Sequence, residues 1–404
     1  MDASRCQVGR VDGFGGFHPH GLRPFSGITS HRSGPTGPTR SCFAVIRSHV
    51  GQNARVALQK ITAPGTLEMT GFVVTDLAGA ARATGVVRCA KKVLQDGAKT
   101  MARSQTYAWA VLGEQISGAS AGISVDPAAR RDGISAFVEA VLPRVQAGEL
   151  SIDAAKGIGV AELSTLAVAD VRSPVRNETR DSGTLAEELL AAGAFAAAAS
   201  ALGDLDGRTL VIEGATSALP ALLAAAAVHG VRVVAIATTT GTVVDATGFD
   251  LPAASAAWAE HSDAMVGALG SELPAAAVFD TEADILMCGS KLGIVGHEVA
   301  TSMAQRLVVP IAPSPVTAKG LAVAGRRDIT VLADFVTTSG ALFADHPAAT
   351  ATPQVLVAAA ISSIGSTVSA LGDHAEGPYL GACYRAEEFL ATWQDTMPFG
   401  RPLA

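Results

Sequence analysis

Ordered patterning of apolar and polar positions begins near Gly71. The run GFVVTDL (Gly71–Leu77) is apolar and β-branched, which predicts a strand. CAKKVLQDGAKTMARSQT (Cys89–Thr106) spaces its apolar residues at helical intervals and predicts an amphipathic helix. YAWAVLG after it reads as a strand or a buried segment, and the ISV that follows Gly122 reads as a strand. Asp126-Pro127 is a helix start, Asp at the N-cap and Pro at the first helical position. It opens AARRDGISAFVEAVLPRVQAG, which Gly148 closes.

A second unit follows Ser173-Pro174. DSGTLAEELLAAGAFAAAASALGDLDG predicts a long helix capped by Ser182 or Thr184 and stopped before Gly207. RTLVIEG (Arg208–Gly214), the apolar helix ALPALLAAAAVHG and VRVVAIATTTG then form a β-α-β unit with a right-handed crossover. Further β-like runs stand at Ala283–Gly289, Arg306–Ala312 and Asp328–Val336, separated by helical stretches. This alternation predicts a parallel, doubly wound sheet. The chain closes with a helix over Pro353–Leu371 and another around CYRAEEFLATWQD.

Charge changes the picture at one end. Residues 1–60 carry eight Lys/Arg against two Asp, whereas the remainder carries 22 against 35. The first 41 residues are rich in Gly, Pro, Ser, His and Arg without either period, so we expect a disordered basic extension over 1–60, or an over-extended start, rather than an amphipathic targeting peptide. The overall net charge of −7 argues against a general nucleic-acid binder. Cys6, Cys42, Cys89, Cys288 and Cys383 are widely spaced and the histidines scattered, so no disulfide framework or metal site is expected. The most apolar run, Leu189–Leu202, reads as too short and alanine-rich to span a bilayer, and a cytoplasmic location is expected.

Two motifs invite chemistry. Gly118-Ala119-Ser120-Ala121-Gly122 has the G-x-S-x-G spacing of a nucleophile elbow. An elbow runs from a strand directly into a helix, whereas a strand-like ISVDP follows here, and His229, His261, His297 and His346 lack a triad setting. Serine hydrolysis is therefore the least favoured reading. The turn Gly214-Ala215-Thr216-Ser217-Ala218-Leu219 stands where a dinucleotide fold carries G-x-G-x-x-G, with only its first glycine. The second strand ends in Thr238-Thr239-Thr240 rather than in an acid for the ribose. Gly214, Thr216, Ser217, Thr238 and Thr239 are the candidate cofactor contacts, against an equal reading of the unit as purely structural.

Together, GAARATGVVR (Gly79–Arg88), QTYAWAVLG (Gln105–Gly113), SGASAGISVDP (Ser117–Pro127), Ser173-Pro174 and VLADFVTTSGA (Val331–Ala341) resemble the Glu/Leu/Phe/Val (amino-acid) dehydrogenase family, in that order. The resemblance covers roughly 71 to 345. It implies an NAD(P)-dependent oxidative deamination of an L-amino acid to a 2-keto acid, in a homo-oligomer that takes a small-molecule substrate. It makes SGASAG a former G-G-G-K loop. The family's carboxylate-binding lysine corresponds to Ala108 and its catalytic lysine to Ser120. Its catalytic aspartate falls near Lys156, with Asp153 a substitute, and its nicotinamide asparagine corresponds to Thr338. Arg82, Arg88 and Gly118 complete the candidate substrate contacts. Lys99 imitates the lost motif 21 residues too early, and Lys291 reads as a surface charge.

The resulting expectation is an α/β protein of two domains. After the extension come an α/β dimerisation and substrate domain over 61–175 and a doubly wound Rossmann-like domain over 176–350. C-terminal helices over 351–404 pack back on the first domain. Two functions compete: a dehydrogenase with NAD or NADP and a rewired site, in which Lys156 faces Ser120, or a catalytically inactive metabolite-binding or regulatory subunit. Neither a nucleic acid nor a membrane is expected as partner.

Overall fold

The computed structural model describes residues 47–48, 56–62, 67–396 and 400–404. Its first lobe is built on a mixed six-stranded sheet: β1 (Arg47–Ser48), β2 (Ala57–Thr62), β3 (Met69–Thr75), β4 (Ala83–Ala90), β5 (Ser117–Val125) and β6 (Leu150–Ala154). The spatial order is β1-β2-β3-β5-β4-β6, with β4 parallel to both β5 and β6 and the other pairs antiparallel. Helices α1 (Gln95–Val111), α2 (Arg130–Gln146) and α3 (Ser164–Ala169) complete it. Residues 57–60 are thus part of strand β2, a correction to the expected extension over 1–60; 1–46, 49–55 and 63–66 lie outside the described residues.

Two further expectations are corrected. Cys89 and Ala90 end strand β4, and the helix starts six residues later than the pattern suggested, at Gln95. The β-branched pair Val86-Val87 extends the strand through Cys89, whose side chain enters the sheet core. YAWAV is not a strand but the last turns of α1, where its apolar residues are buried on tertiary contacts. At the next helix the Asp126 side chain accepts from the Ala128 amide, with Pro127 at the first position.

The hairpin β7 (Thr179–Arg180) and β8 (Gly183–Thr184) leads into α4 (Leu185–Leu202). There Thr184 and Glu187 form a capping box. The second lobe continues with β9 (Thr209–Glu213), α5 (Leu219–Val228), β10 (Arg232–Ala237), β11 (Thr242–Val244), α6 (Leu251–His261), α7 (Met265–Leu269) and α8 (Ala277–Asp280). It ends with β12 (Ile285–Cys288), α9 (His297–Ser302), β13 (Leu307–Pro310), α10 (Ala318–Arg326), β14 (Thr330–Val331) and α11 (Asp334–Thr337). The sheet order is β11-β10-β9-β12-β13-β14, parallel except for β11. The order reverses between β9 and β12, which is where such sheets place a ligand crevice at their carboxyl edge. β9, β12 and β13 are buried on both faces, as continuous Val/Ile/Leu runs require.

Of the two C-terminal helices, α12 (Pro353–Leu371) lies on α4 in the second lobe, and α13 (Gly377–Leu390) reaches α1 in the first. The expected return to the first domain therefore belongs to α13 alone. Helices α4 and α12 are each long and apolar enough to span a bilayer by composition, which corrects the length argument made for Leu189–Leu202. They pack against each other, and half of α4 is buried.

Candidate functional site

The strands of the first sheet alternate their side chains between two faces. Ala83, Val87, Cys89, Ala119, Ala121 and Ile123 enter the core under α2. Thr84, Val86 and Arg88 of β4, and Gly118, Ser120 and Gly122 of β5, therefore face the α1 side. Register puts Val74, Ser120, Val86 and Asp153 in one row across four strands, with Gly122 and Arg88 in the next.

SGASAG is not a loop. It is the first six residues of strand β5, flanked by hydrogen-bonded neighbours on both sides. Ser120 is fully buried, and its Oγ has no hydrogen-bond partner. Gly118 serves close approach: a Cβ there would stand 1.8 Å from the Ala102 carbonyl oxygen, and its amide donates to Thr106 Oγ1 at 2.9 Å. Ala108 is buried on α1 among apolar neighbours. Lys156 is exposed in the turn after β6, so it does not face the buried Ser120 as the rewired-dehydrogenase alternative requires. Lys99 is exposed on α1 beside Asp96 at 3.0 Å, and Lys291 is exposed as well.

Asp153 lies within an arginine fork. Arg172 Nη1 and Nη2 donate to its two oxygens at 2.9 and 2.8 Å, and Arg176 Nη1 and Nη2 do so at 2.9 Å each. Burial pushes its carboxyl up, but the two guanidinium groups outweigh that and hold it down to about 2. Asp170 and Asp345 complete the cluster, Asp170 bonding Arg172 and Asp345 bonding Arg176 Nε at 2.7 Å. Arg82 is exposed beside His346, whose imidazole is shifted down by burial and then by Arg82. Arg88 is half-buried at the carboxyl end of β4, and its Nε and Nη2 are buried without a partner.

The lobes meet along α1. Ser104 Oγ donates to Asp334 Oδ2, which also accepts from the Ser314 amide at 2.8 Å. Tyr379 Oη lies 3.1 Å from Asp334 Oδ1 and 2.8 Å from the Pro402 carbonyl, and it has one proton for the two. Asp334 is fully buried, and burial pushes its carboxyl up. A neutral Asp334 satisfies every group: it donates to Tyr379, which then donates to Pro402. The segment 400–404 also joins the lobes, since Gly400 accepts from Arg103 Nη1 at 2.6 Å and the Ala404 amide donates to Val316 at 3.2 Å.

The ligand crevice of the second lobe is lined by groups already engaged. Gly214 has φ +82°, and a Cβ there would lie 2.4 Å from the Ser290 amide nitrogen. The buried Glu213 places Oε2 on the amides of Gly289 and Ser290, at 3.1 Å each. Thr216 and Ser217 are exposed at the start of α5. There the Ala218 amide donates to Thr216 Oγ1, the Leu219 amide donates to the Thr216 carbonyl, and Pro220 has no N–H. The donors left to an anion at this helix start are the amides of Thr216 and Ser217. Thr238 and Thr240 donate to the Asp263 carbonyl at 2.7 and 2.8 Å, and Thr239 donates to the Asp263 carboxylate. Thr338 donates to the Asp334 carbonyl at 2.7 Å. The chain's own carboxylates and hydroxyls thus engage part of this edge, while the exposed Thr216 and Ser217 amides make no hydrogen bond among the described residues.

Sequence reasoning missed Glu213, Asp263, Asp334 and the pair Arg172/Arg176. Only the last left a signal, two arginines four residues apart around Ser173-Pro174. Among the described residues no group of three or more His, Cys, Asp and Glu could hold a metal.

Residues 189–345 match the sequence profile of the Glutamate/Leucine/Phenylalanine/Valine dehydrogenase family. No curated protein matches the chain significantly. Among solved structures, it is similar to a hetero-hexameric glutamate dehydrogenase from Thermus thermophilus in its Leu-bound form, at 21% identity and TM-score 0.69, covering 84% of this chain and 88% of that one. Glutamate dehydrogenase from Plasmodium falciparum matches at 13% identity and TM-score 0.67, over 85% of each chain. L-tryptophan dehydrogenase from Nostoc punctiforme matches at 14% identity and TM-score 0.56, over 83% of this chain and 95% of that one. The two-domain α/β fold is that of the amino-acid dehydrogenases.

Proposed function

We propose, from the premise that residues 189–345 belong by sequence to the Glu/Leu/Phe/Val dehydrogenase family, that this protein keeps the fold as a non-catalytic, metabolite-binding or regulatory subunit. One observation supports the reading: Ala108 and Ser120, the positions that the resemblance sets against the two family lysines, are buried, while Lys99, Lys156 and Lys291 are all exposed. Oxidative deamination needs a cation against the developing carbinolamine oxygen, a contribution of about 3–4 kcal/mol for one preorganised donor. It also needs a group that exchanges protons near neutral pH. Asp153, held down to about 2 by its arginines, is a poor proton carrier there. The engaged donors around Glu213, Thr216 and Asp263 argue against tight NAD or NADP binding.

The unit of action is an oligomer of this chain, alone or with an unlike partner; the hetero-hexameric Thermus thermophilus protein is a precedent for unlike subunits on this fold. The free thiols of Cys89, Cys288 and Cys383 suit a reducing compartment and a cytoplasmic role. The test is calorimetric titration of the full chain with NAD and NADP, together with a screen for amino-acid-dependent cofactor reduction. At a hundredfold excess over Kd a bound cofactor would raise apparent stability by about 2.7 kcal/mol, so thermal melts serve as a second readout. We expect neither saturation nor turnover. Saturable binding with amino-acid-dependent reduction would restore the dehydrogenase reading.

A further inference from the structure

We infer that the groove between α10, β14 and the start of α13 is a binding site for a small uncharged lactam, a cyclic amide on an apolar ring, held by the free edge of β14. The inference deepens the metabolite-binding reading above and rests on it for calling the occupant a metabolite.

The groove encloses about 680 Å3, within the range of roughly 300–1,000 Å3 of small-molecule sites. Its walls are apolar. Leu321, Ala322 and Gly325 present one stripe of α10 at helical spacing, and Pro378 and Leu380 of α13 line it with Leu403 of the C-terminal segment. The floor is the outer edge of the second sheet, whose last strand is β14.

In a parallel ladder alternate residues turn their N–H and C=O to one neighbour. Thr330 and Leu332 turn to β13, donating to the carbonyls of Arg306 and Val308 at 3.0 Å each. Val331, between them, turns its amide and carbonyl away from β13, and neither makes a hydrogen bond among the described residues. Val331 is 3% exposed and lines the groove, so these groups have lost bulk water without gaining a partner. Buried backbone N–H and C=O groups are almost always satisfied. Here α13 rather than a further strand packs against β14, and a cavity remains beside Val331.

The occupant must therefore offer one acceptor and one donor on the same side. Two extended residues satisfy each other with such a pair in an antiparallel ladder. A cis amide in a ring carries the same pair without the entropy cost of ordering a peptide. The walls favour an apolar body. Among the described residues lining the groove, the charged side chains are Asp328 and Glu376, both acidic, so carboxylates and phosphates are repelled. That separates this site from one for an acidic substrate or a nucleotide. Occupancy bears on the lobe junction as well: Tyr379 lines the groove, and its hydroxyl meets Asp334 and Pro402.

The test is thermal melting of the full chain with ε-caprolactam, beside N-methylcaprolactam and hexanoate at matched ionic strength. Caprolactam is soluble enough for weak binding to saturate. We expect a saturable rise in Tm with caprolactam, half-saturation several-fold weaker with N-methylcaprolactam, which lacks the donor, and no response to hexanoate. Ala322→Trp, at an exposed position of α10, should fill the groove and abolish the response. Hydrogen exchange needs no variant: caprolactam should slow exchange across residues 329–332, where the Val331 amide gains an acceptor. The inference is overturned by an absent or unsaturable caprolactam response, or by an equal response to N-methylcaprolactam or hexanoate. It is overturned as well by an unchanged response in folded Ala322→Trp, or by protection that leaves residues 329–332 untouched. Its failure alongside absent cofactor binding would leave the non-catalytic reading intact, whereas cofactor-dependent turnover beside an intact caprolactam response would overturn that reading and leave this site.

Discussion

Gly118→Ala separates two accounts of SGASAG, a flexible loop over a ligand and a strand pressed against a helix. The added methyl would stand 1.8 Å from the Ala102 carbonyl oxygen and 2.7 Å from the Thr106 amide nitrogen. A Cβ approaches no closer than 3.0 Å in practice, so α1 and β5 must part by at least 1.2 Å, the difference of the two distances. Overpacking of this kind costs roughly 1–3 kcal/mol, and more where backbone is struck. Losing the Gly118–Thr106 hydrogen bond adds about 1 kcal/mol. The sum, about 2–4 kcal/mol, corresponds to a fall in Tm of roughly 2–5 °C for a chain of this size. Gly79→Ala is the control, since a Cβ there meets nothing within 4 Å. Its effect should stay within about 0.5 kcal/mol. Urea unfolding followed by circular dichroism, with both variants at one protein concentration, provides the comparison. If Gly118→Ala unfolds with the wild type, α1 is not seated on β5 and the burial of Ser120 loses its basis.

Three further outcomes follow from the same geometry. Asp153 is depressed in the folded state, so its contribution to stability is present above the ordinary value of 3.8 and is lost as pH falls towards about 2; in acid titrations of the fold, Asp153→Asn should flatten that limb and cost about 1–2 kcal/mol at neutral pH. Asp334 is shifted the other way: its folded form holds a proton that the unfolded chain releases, so stability should decline as pH rises from 3.8 through the raised value. Asp334→Asn, which mimics the neutral acid, should remove that decline and keep the fold, and a pH-stability curve identical to wild type would sink the assignment. Thr184→Ala should lower stability by about 1 kcal/mol through the lost cap on α4, seen as a smaller midpoint with an unchanged m-value.

The legible part of the fold was the part governed by local rules. Asp126-Pro127 and Thr184 with Glu187 mark helix starts because capping depends on a few adjacent residues. The runs at Arg208–Gly214 and Ala283–Gly289 mark central parallel strands because burial on both faces demands unbroken apolar sequence. The start of α1 differs from the pattern because Lys91, Lys92 and Leu94 carry a helical period through the irregular link between β4 and α1. SGASAG was misread for a deeper reason. Two glycines and four other small residues look like a loop, yet smallness there lets α1 approach: a Cβ on Gly118 would lie 1.8 Å from the Ala102 oxygen. Nothing within nine residues of sequence announces a neighbour arriving from elsewhere in the chain.

The same distinction governs the candidate site. Resemblance could point to Ala108 and Ser120 as places where charge had gone, but not to where positive charge now sits, which depends on which side chains tertiary packing brings together. Arg172 and Arg176 face Asp153, Asp170 and Asp345, so that cluster carries more negative than positive charge and has nothing to offer an anion. Arg401 is matched by Glu387, and Arg103 by Asp76 at 2.8 Å. These arginines are paired with carboxylates, whereas Nε and Nη2 of Arg88 meet no hydrogen-bond partner among the described residues. Stability alone favours an apolar residue at such a position, because a lone buried charge costs more than the packing it provides.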